Sequence, residues 1–219
     1  MMSLVERRAR RAKSLTYRSR APSSIRNHCR GQVAELGPSI LRKLFSTRPA
    51  ILAGRRLYAS AAAQARLPDF YLKGGVKDSP EGRFELYSLH VTLLLHRLKD
   101  QGPRAAETGQ ALFDAYLRSL DDALRDLGVG DLSVGKKMRK LGEALYGRVK
   151  AYDAVLGPPA DRPGLEALIA RTVLEGALEE EVAVLAAYVA ATAEALASTP
   201  IETLLEDDPN WIAFAHEDA

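Results

Sequence analysis

The sequence predicts an all-α fold: a single compact domain of about six or seven packed helices behind a basic N-terminal extension. Three observations predict it. Pro and Gly punctuate the chain at regular intervals after Pro38. Apolar residues between those breaks recur at helical spacing, and no stretch alternates as a half-buried strand would.

Each element has its own justification. A first helix is expected over residues 49–66, with Leu52, Leu57, Tyr58 and several alanines available for packing and Pro68 ending it. Residues 68–79, with Gly74-Gly75, read as a loop. Ser79-Pro80-Glu81 is a helix start: N-cap serine, proline at the first helical position, acid in the first turn. The helix it opens runs to about Asp100, with Leu86, Leu89, His90, Leu93, Leu94 and Arg97 on one broad face. Beyond Gly102-Pro103, a third helix carries Leu112, Phe113, Tyr116, Leu117, Leu120, Leu124 and Leu127. A glycine C-cap at Gly128 closes it. A fourth, over residues 133–155, has the stripe Val134, Met138, Leu141, Leu145, Val149 and Tyr152. After Gly157-Pro158-Pro159, helices over 164–176 and 179–198 follow. Thr199-Pro200-Ile201-Glu202 reads as a capping box opening a short last helix. The helical domain is expected over residues 41–206, with a loose acidic tail at 207–219.

The 219 residues are 47% hydrophobic and 27% charged, ordinary for a soluble globular chain that buries a core without staples. A single cysteine, Cys29, excludes an internal disulfide framework and any zinc site built on several thiolates. The most apolar window, residues 182–193, is too short to span a bilayer and is ended by Glu194, so no transmembrane helix is expected.

The net charge of +3 hides a gradient. Residues 1–66 hold 15 Lys and Arg against 2 acids; residues 154–219 hold 2 against 13. Such asymmetry fits an anionic partner for the basic end, or a merely solvated tail. Residues 1–40 are rich in Arg, Ser and Ala. They read as a transit peptide or as sequence upstream of a misassigned start, disordered or a lone basic helix. His28 and Cys29 alone make no metal site.

Chemistry is sparse. Gly130-Asp131-Leu132-Ser133-Val134-Gly135-Lys136 matches the first part of a P-loop, but Lys137 stands where Mg²⁺ needs Ser or Thr, and a helix is expected where a strand should precede it. A nucleotide-dependent enzyme therefore rests on a broken motif. His90 and His96 lie about 240° apart on one helix and cannot share a metal; His90 reads as a buried histidine bonded to a neighbour. No catalytic, metal or cofactor site is expected.

What stands out is a polar set within or beside apolar faces: Arg83, Glu85, His90, Arg97, Asp114, Asp131, Arg148 and Asp153. Buried charges need partners. The expected pairs are Arg83 or Arg97 with Asp114, and Arg148 with Asp131 or Asp153, serving either structure or a groove for a partner segment. Lys136, Lys137, Arg139 and Lys140 cluster at a helix start, where the dipole disfavours cations, which suggests an external anionic surface. Phe84, His90, Phe113, Tyr146 and Tyr152 form a broad face that must be mostly core.

An ordered series of segments resembles one family. It comprises Asp69-Phe70-Tyr71, Gly75-Val76-Lys77-Asp78, Glu81-Gly82-Arg83-Phe84-Glu85-Leu86 with Leu89-His90, and Gln110-Ala111-Leu112-Phe113-Asp114. Residues 127–136 and Tyr146-Gly147-Arg148 with Ala151-Tyr152-Asp153 complete it. In this order and spacing the chain resembles the ubiquinol–cytochrome c chaperone family, most strongly over residues 68–156. Arg171 is followed by Thr172 where the family usually has asparagine, and Lys73-Gly74-Gly75 and Tyr87 are also unusual. The resemblance implies an all-helical, non-enzymatic assembly factor that binds newly synthesised cytochrome b of ubiquinol–cytochrome c reductase. Mitochondrial members act with a small partner protein near the ribosomal exit tunnel. For this chain it implies no cofactor and no small-molecule substrate. A cytoplasmic protein, peripheral at the inner membrane, is expected, or a mitochondrial one if residues 1–40 are a transit peptide. Short length and Ala/Arg/Leu/Gly richness favour an alphaproteobacterial source. The competing reading is a basic RNA- or ribosome-associated protein without that client.

Overall fold

The computed structural model describes residues 38–214, with side chains from residue 49 onward except those of Asp131 and Leu132. The expectations for residues 1–37, including Cys29 and His28, lie outside the described residues. The chain divides into two compact units, Met1–Phe45 and Ser46–Ala219; the second holds the helical core.

Eight helices and no strand occur among the described residues: α1 Pro38–Gln64, α2 Asp69–Leu72, α3 Pro80–Leu98, α4 Pro103–Asp126, α5 Asp131–Leu156, α6 Arg162–Thr172, α7 Glu179–Ser198 and α8 Ile201–Glu206. Helix α1 runs through Pro49 rather than beginning there. Proline has no N–H for the carbonyl four residues back, so the helical ladder is interrupted beside the division between the units.

Helix α3 is the axis of the fold, packed against α4, α5 and α7. Its start is the predicted one: the Ser79 side chain accepts from the Gly82 N–H at 3.1 Å, with Pro80 in the first turn. Beyond that start it is covered on nearly every side, so Ser88, Val91 and Thr92 are buried along with the predicted Leu86, Leu89, His90, Leu93 and Leu94. A one-faced amphipathic pattern describes a surface helix; this one is central.

Helices α4 and α5 form a hairpin through Gly128, whose φ of +75° is the left-handed conformation a glycine cap provides. Leu112 and Tyr116 reach the core. Phe113, Leu117 and Leu120, on the adjacent flank, are only half-buried, and Leu127 at the hairpin end is 72% exposed. On its other flank α4 meets α1 backbone to backbone: a Cβ at Gly54 would stand 2.6 Å from the Ala111 Cβ, so only glycine permits this approach.

Three expectations are corrected. Residues 68–79 are not all loop: the single turn α2 plants Phe70, fully buried, between the Leu67-Pro68 bend and the glycines. Thr199 does not cap α8; its hydroxyl donates to the Ala195 carbonyl at 3.0 Å, closing the end of α7 instead. The reciprocal acid lies at the other end of α7, where Glu181 accepts from the Leu178 N–H at 2.8 Å. Finally, residues 207–214 are not loose. They form a strap with Pro209 and Phe214 buried and Trp211 half-buried. Helix α7, predicted too short an apolar run to span a bilayer, is long and apolar enough by composition, but its Val182, Leu185, Ala186, Val189 and Leu196 are buried in the protein.

Candidate functional site

His90 is a fully buried polar group. Its Nδ1 lies 2.8 Å from the Leu86 carbonyl, which only accepts, so Nδ1 carries the proton. Nε2 is then an acceptor, and the Tyr188 hydroxyl donates to it at 2.9 Å. Tyr188 in turn accepts from Gln64 Nε2 at 3.1 Å. Phe70 and Trp211 stand edge-on to the imidazole, at 5.4 and 5.3 Å between centroids. Burial pushes the His90 pKa down to about 4, against the partial support of the Leu86 carbonyl, and pushes the Tyr188 hydroxyl up to about 12. The ring is a neutral, fully bonded packing group, as the sequence reading of a buried histidine anticipated.

The charged members of the predicted polar set are organised differently from expectation. Arg148 does not meet Asp131 or Asp153. Its guanidinium forks onto the Glu85 carboxylate, Nε donating to Oε2 at 2.6 Å and Nη2 to Oε1, with Phe84 under the same guanidinium at 5.7 Å. Burial raises the Glu85 carboxyl above its ordinary range, with Arg148 opposing. Asp153 instead takes His96 Nδ1 at 2.6 Å and Lys99 Nζ at 2.8 Å. Burial pushes its carboxyl up, but those two partners outweigh this and hold it low. Arg83 pairs with Asp78 at 2.6 Å on the surface, while Arg97 donates to the carbonyls of Leu196 and Thr199, both at 2.7 Å. Asp114 meets neither arginine: it is exposed and accepts from Gln110 one turn back. The side chain of Asp131 lies outside the described residues.

Beside the Glu85–Arg148 pair a groove of about 470 Å³ opens between the start of α3, α5 and the end of α6, lined also by Lys77, Arg171 and Glu175. A second groove of about 460 Å³, mostly apolar, lies between α1, α4 and α8. Lys136, Lys137, Arg139 and Lys140 are all exposed on the outer side of α5. Tyr146, expected on the core face with Phe84, Phe113 and Tyr152, stands 71% exposed. The broken P-loop is no phosphate loop: Gly130 caps α5 and residues 131–136 are its first turns, with α4 in the place of a strand.

Sequence reasoning missed Gln64, Tyr188 and Trp211. Only the last carried a signal, being the chain's single tryptophan in an otherwise polar tail.

The helical body, with its paired polar groups and surface grooves, defines the class: an all-α protein. The chain belongs to the ubiquinol–cytochrome C chaperone family, whose model matches residues 72–211. It is similar to the crystal structure of the Cbp3 homolog from Brucella abortus, with 34% identity over 81% of this chain and 96% of that one and a TM-score of 0.68. A comparison with curated proteins found no match.

Proposed function

We propose that this chain binds newly made cytochrome b and, without catalysing a reaction, promotes assembly of ubiquinol–cytochrome c reductase. The family match over residues 72–211 carries the reading. A holdase for a membrane protein needs an apolar surface for its client and a means of waiting near the membrane. The half-buried flank of α4 and the grooves supply candidates for the first. Lys136, Lys137, Arg139 and Lys140 supply the second: four exposed cations within five residues of α5 are matched by an anionic surface outside the protein. The site of action is the cytoplasmic face of the inner membrane, close to the ribosome, with a small partner protein as in mitochondrial members.

The test is deletion in the native host, scored for assembled cytochrome b by haem spectrum and membrane immunoblot. Loss of cytochrome b with its transcript intact is expected; normal cytochrome b overturns the client assignment. Neutralising Lys136, Lys137, Arg139 and Lys140 together should weaken sedimentation with anionic vesicles at low salt. Unchanged sedimentation removes the membrane contact and favours the RNA- or ribosome-associated reading.

A further inference from the structure

The strap at residues 207–214 is unlike the rest of the molecule. It is neither helix nor strand, and its backbone-to-backbone hydrogen bonds among the described residues are local, from the Asp207 N–H to the Thr203 carbonyl and from the Trp211 N–H to the Pro209 carbonyl. Side chains hold it. Trp211 Nε1 donates to Ser60 Oγ at 2.9 Å, and Gln64 Nε2 reaches the Ile212 carbonyl at 3.3 Å. Phe214 sits between Phe70 and Tyr188, at 4.6 and 5.6 Å between centroids. Gly74 makes room for it: a Cβ there would come within 2.9 Å of the Phe214 ring. The bed beneath the strap thus has the parts of a peptide site. Two aromatic-lined recesses lie three residues apart, and a side-chain amide reads the backbone between them.

We propose that this bed is a binding site for an extended peptide segment carrying two aromatic side chains three residues apart, and that the strap is its built-in competitor. The strap itself shows which chemistry fits. Removing it uncovers Phe70, His90 and Tyr188, an apolar surface able to cover an unpacked segment of a membrane protein. A tethered occupant of this kind raises the concentration a free segment must reach, because its own effective concentration is of order millimolar. The site therefore responds to clients that present several contacts at once and ignores stray peptides. As a client site it rests on the chaperone reading, but its binding chemistry is tested without cytochrome b.

The probe is a fluorescein-labelled peptide of residues 207–219, titrated by anisotropy into the full chain and into its Phe214→Ala variant. The variant, with its own strap weakened, should bind at least ten-fold more tightly than the unaltered chain. Equal affinity, or no binding by a variant with native far-UV circular dichroism, overturns the proposal. Should Phe214→Ala fail to fold, the unaltered chain decides. Trp211 is its only tryptophan, so its emission reports the strap alone. In urea, a red shift completed before helix is lost supports a detachable strap, and one coincident transition overturns it. If the peptide binds while deletion leaves cytochrome b normal, the site stands and its client is another protein. If the peptide fails while deletion removes cytochrome b, the chaperone reading stands and its client face lies elsewhere.

Discussion

The two sides of α3 solve the same problem in different ways. Toward α7 and the strap, polar groups are neutral, dry and serially bonded: Gln64 to Tyr188 to His90 to the Leu86 carbonyl. Toward α5 they are carboxylates paired with cations and partly wet: Glu85 with Arg148, and Asp153 with Lys99 and a hydrogen bond from His96. The first arrangement tolerates full burial because no net charge is desolvated. The second needs residual solvent access and sits where the apolar flank of α4 is only half covered. The dry side is covered by the strap; the wet side has an open groove beside its ion pair.

Breaking the dry side should have the largest effect. Phe70→Ala empties the point where α2, α3, α7 and the strap converge, and should cost ~3–5 kcal/mol in urea unfolding. The same substitution on the half-buried flank, Phe113→Ala, should cost clearly less, and equal losses would erase the contrast.

Acid sharpens it next. His90 titrates at about 4 in the folded chain and near 6.5 when unfolded. The folded state therefore binds fewer protons, and the stabilisation from a neutral His90 is complete above pH 6.5. It falls as pH drops toward 4, by about 3 kcal/mol as an order of magnitude. His90→Asn should be less stable at pH 7 yet lose less stability between pH 7 and 4.5, read from urea midpoints.

On the wet side, Arg148→Met leaves the Glu85 carboxylate half-buried without its guanidinium and should cost about 2 kcal/mol, less than a fully buried pair would. Adding Glu85→Gln should recover part of that loss; a double variant no better than the single would show that Arg148 acts mainly through packing on Phe84. The smallest change is a gain. Gly147 lies exposed in the interior of α5 with nothing within 4 Å of a built Cβ, so Gly147→Ala should stabilise by ~0.5–1 kcal/mol.

What was legible in the sequence follows the range of the interactions involved. The Ser79 cap, the Gly128 turn and the bounds of α7 are set within a few residues and could be read directly. The pairing of Arg148 with Glu85 spans 63 residues and depends on how α5 is rotated against α3, which no local pattern encodes. Asp114 could have been placed better: it lies between buried Leu112 and Tyr116, and a residue two positions from each faces away from both. The strap was illegible for another reason. It has no periodicity, and its acids outweighed the signal of Trp211 and Phe214.

The strap also sets an order of events. Ser60 and Gln64 on α1 meet partners about 150 residues later, Trp211 and Ile212. During synthesis, α1 to α7 leave the ribosome before the pieces that cover them exist. Until residues 204–214 emerge, Phe70 and His90 lie beside a gap. Closing the core thus waits on residues 204–214 rather than on local helix formation, and this places the molecule among chains whose folding depends on long-range closure.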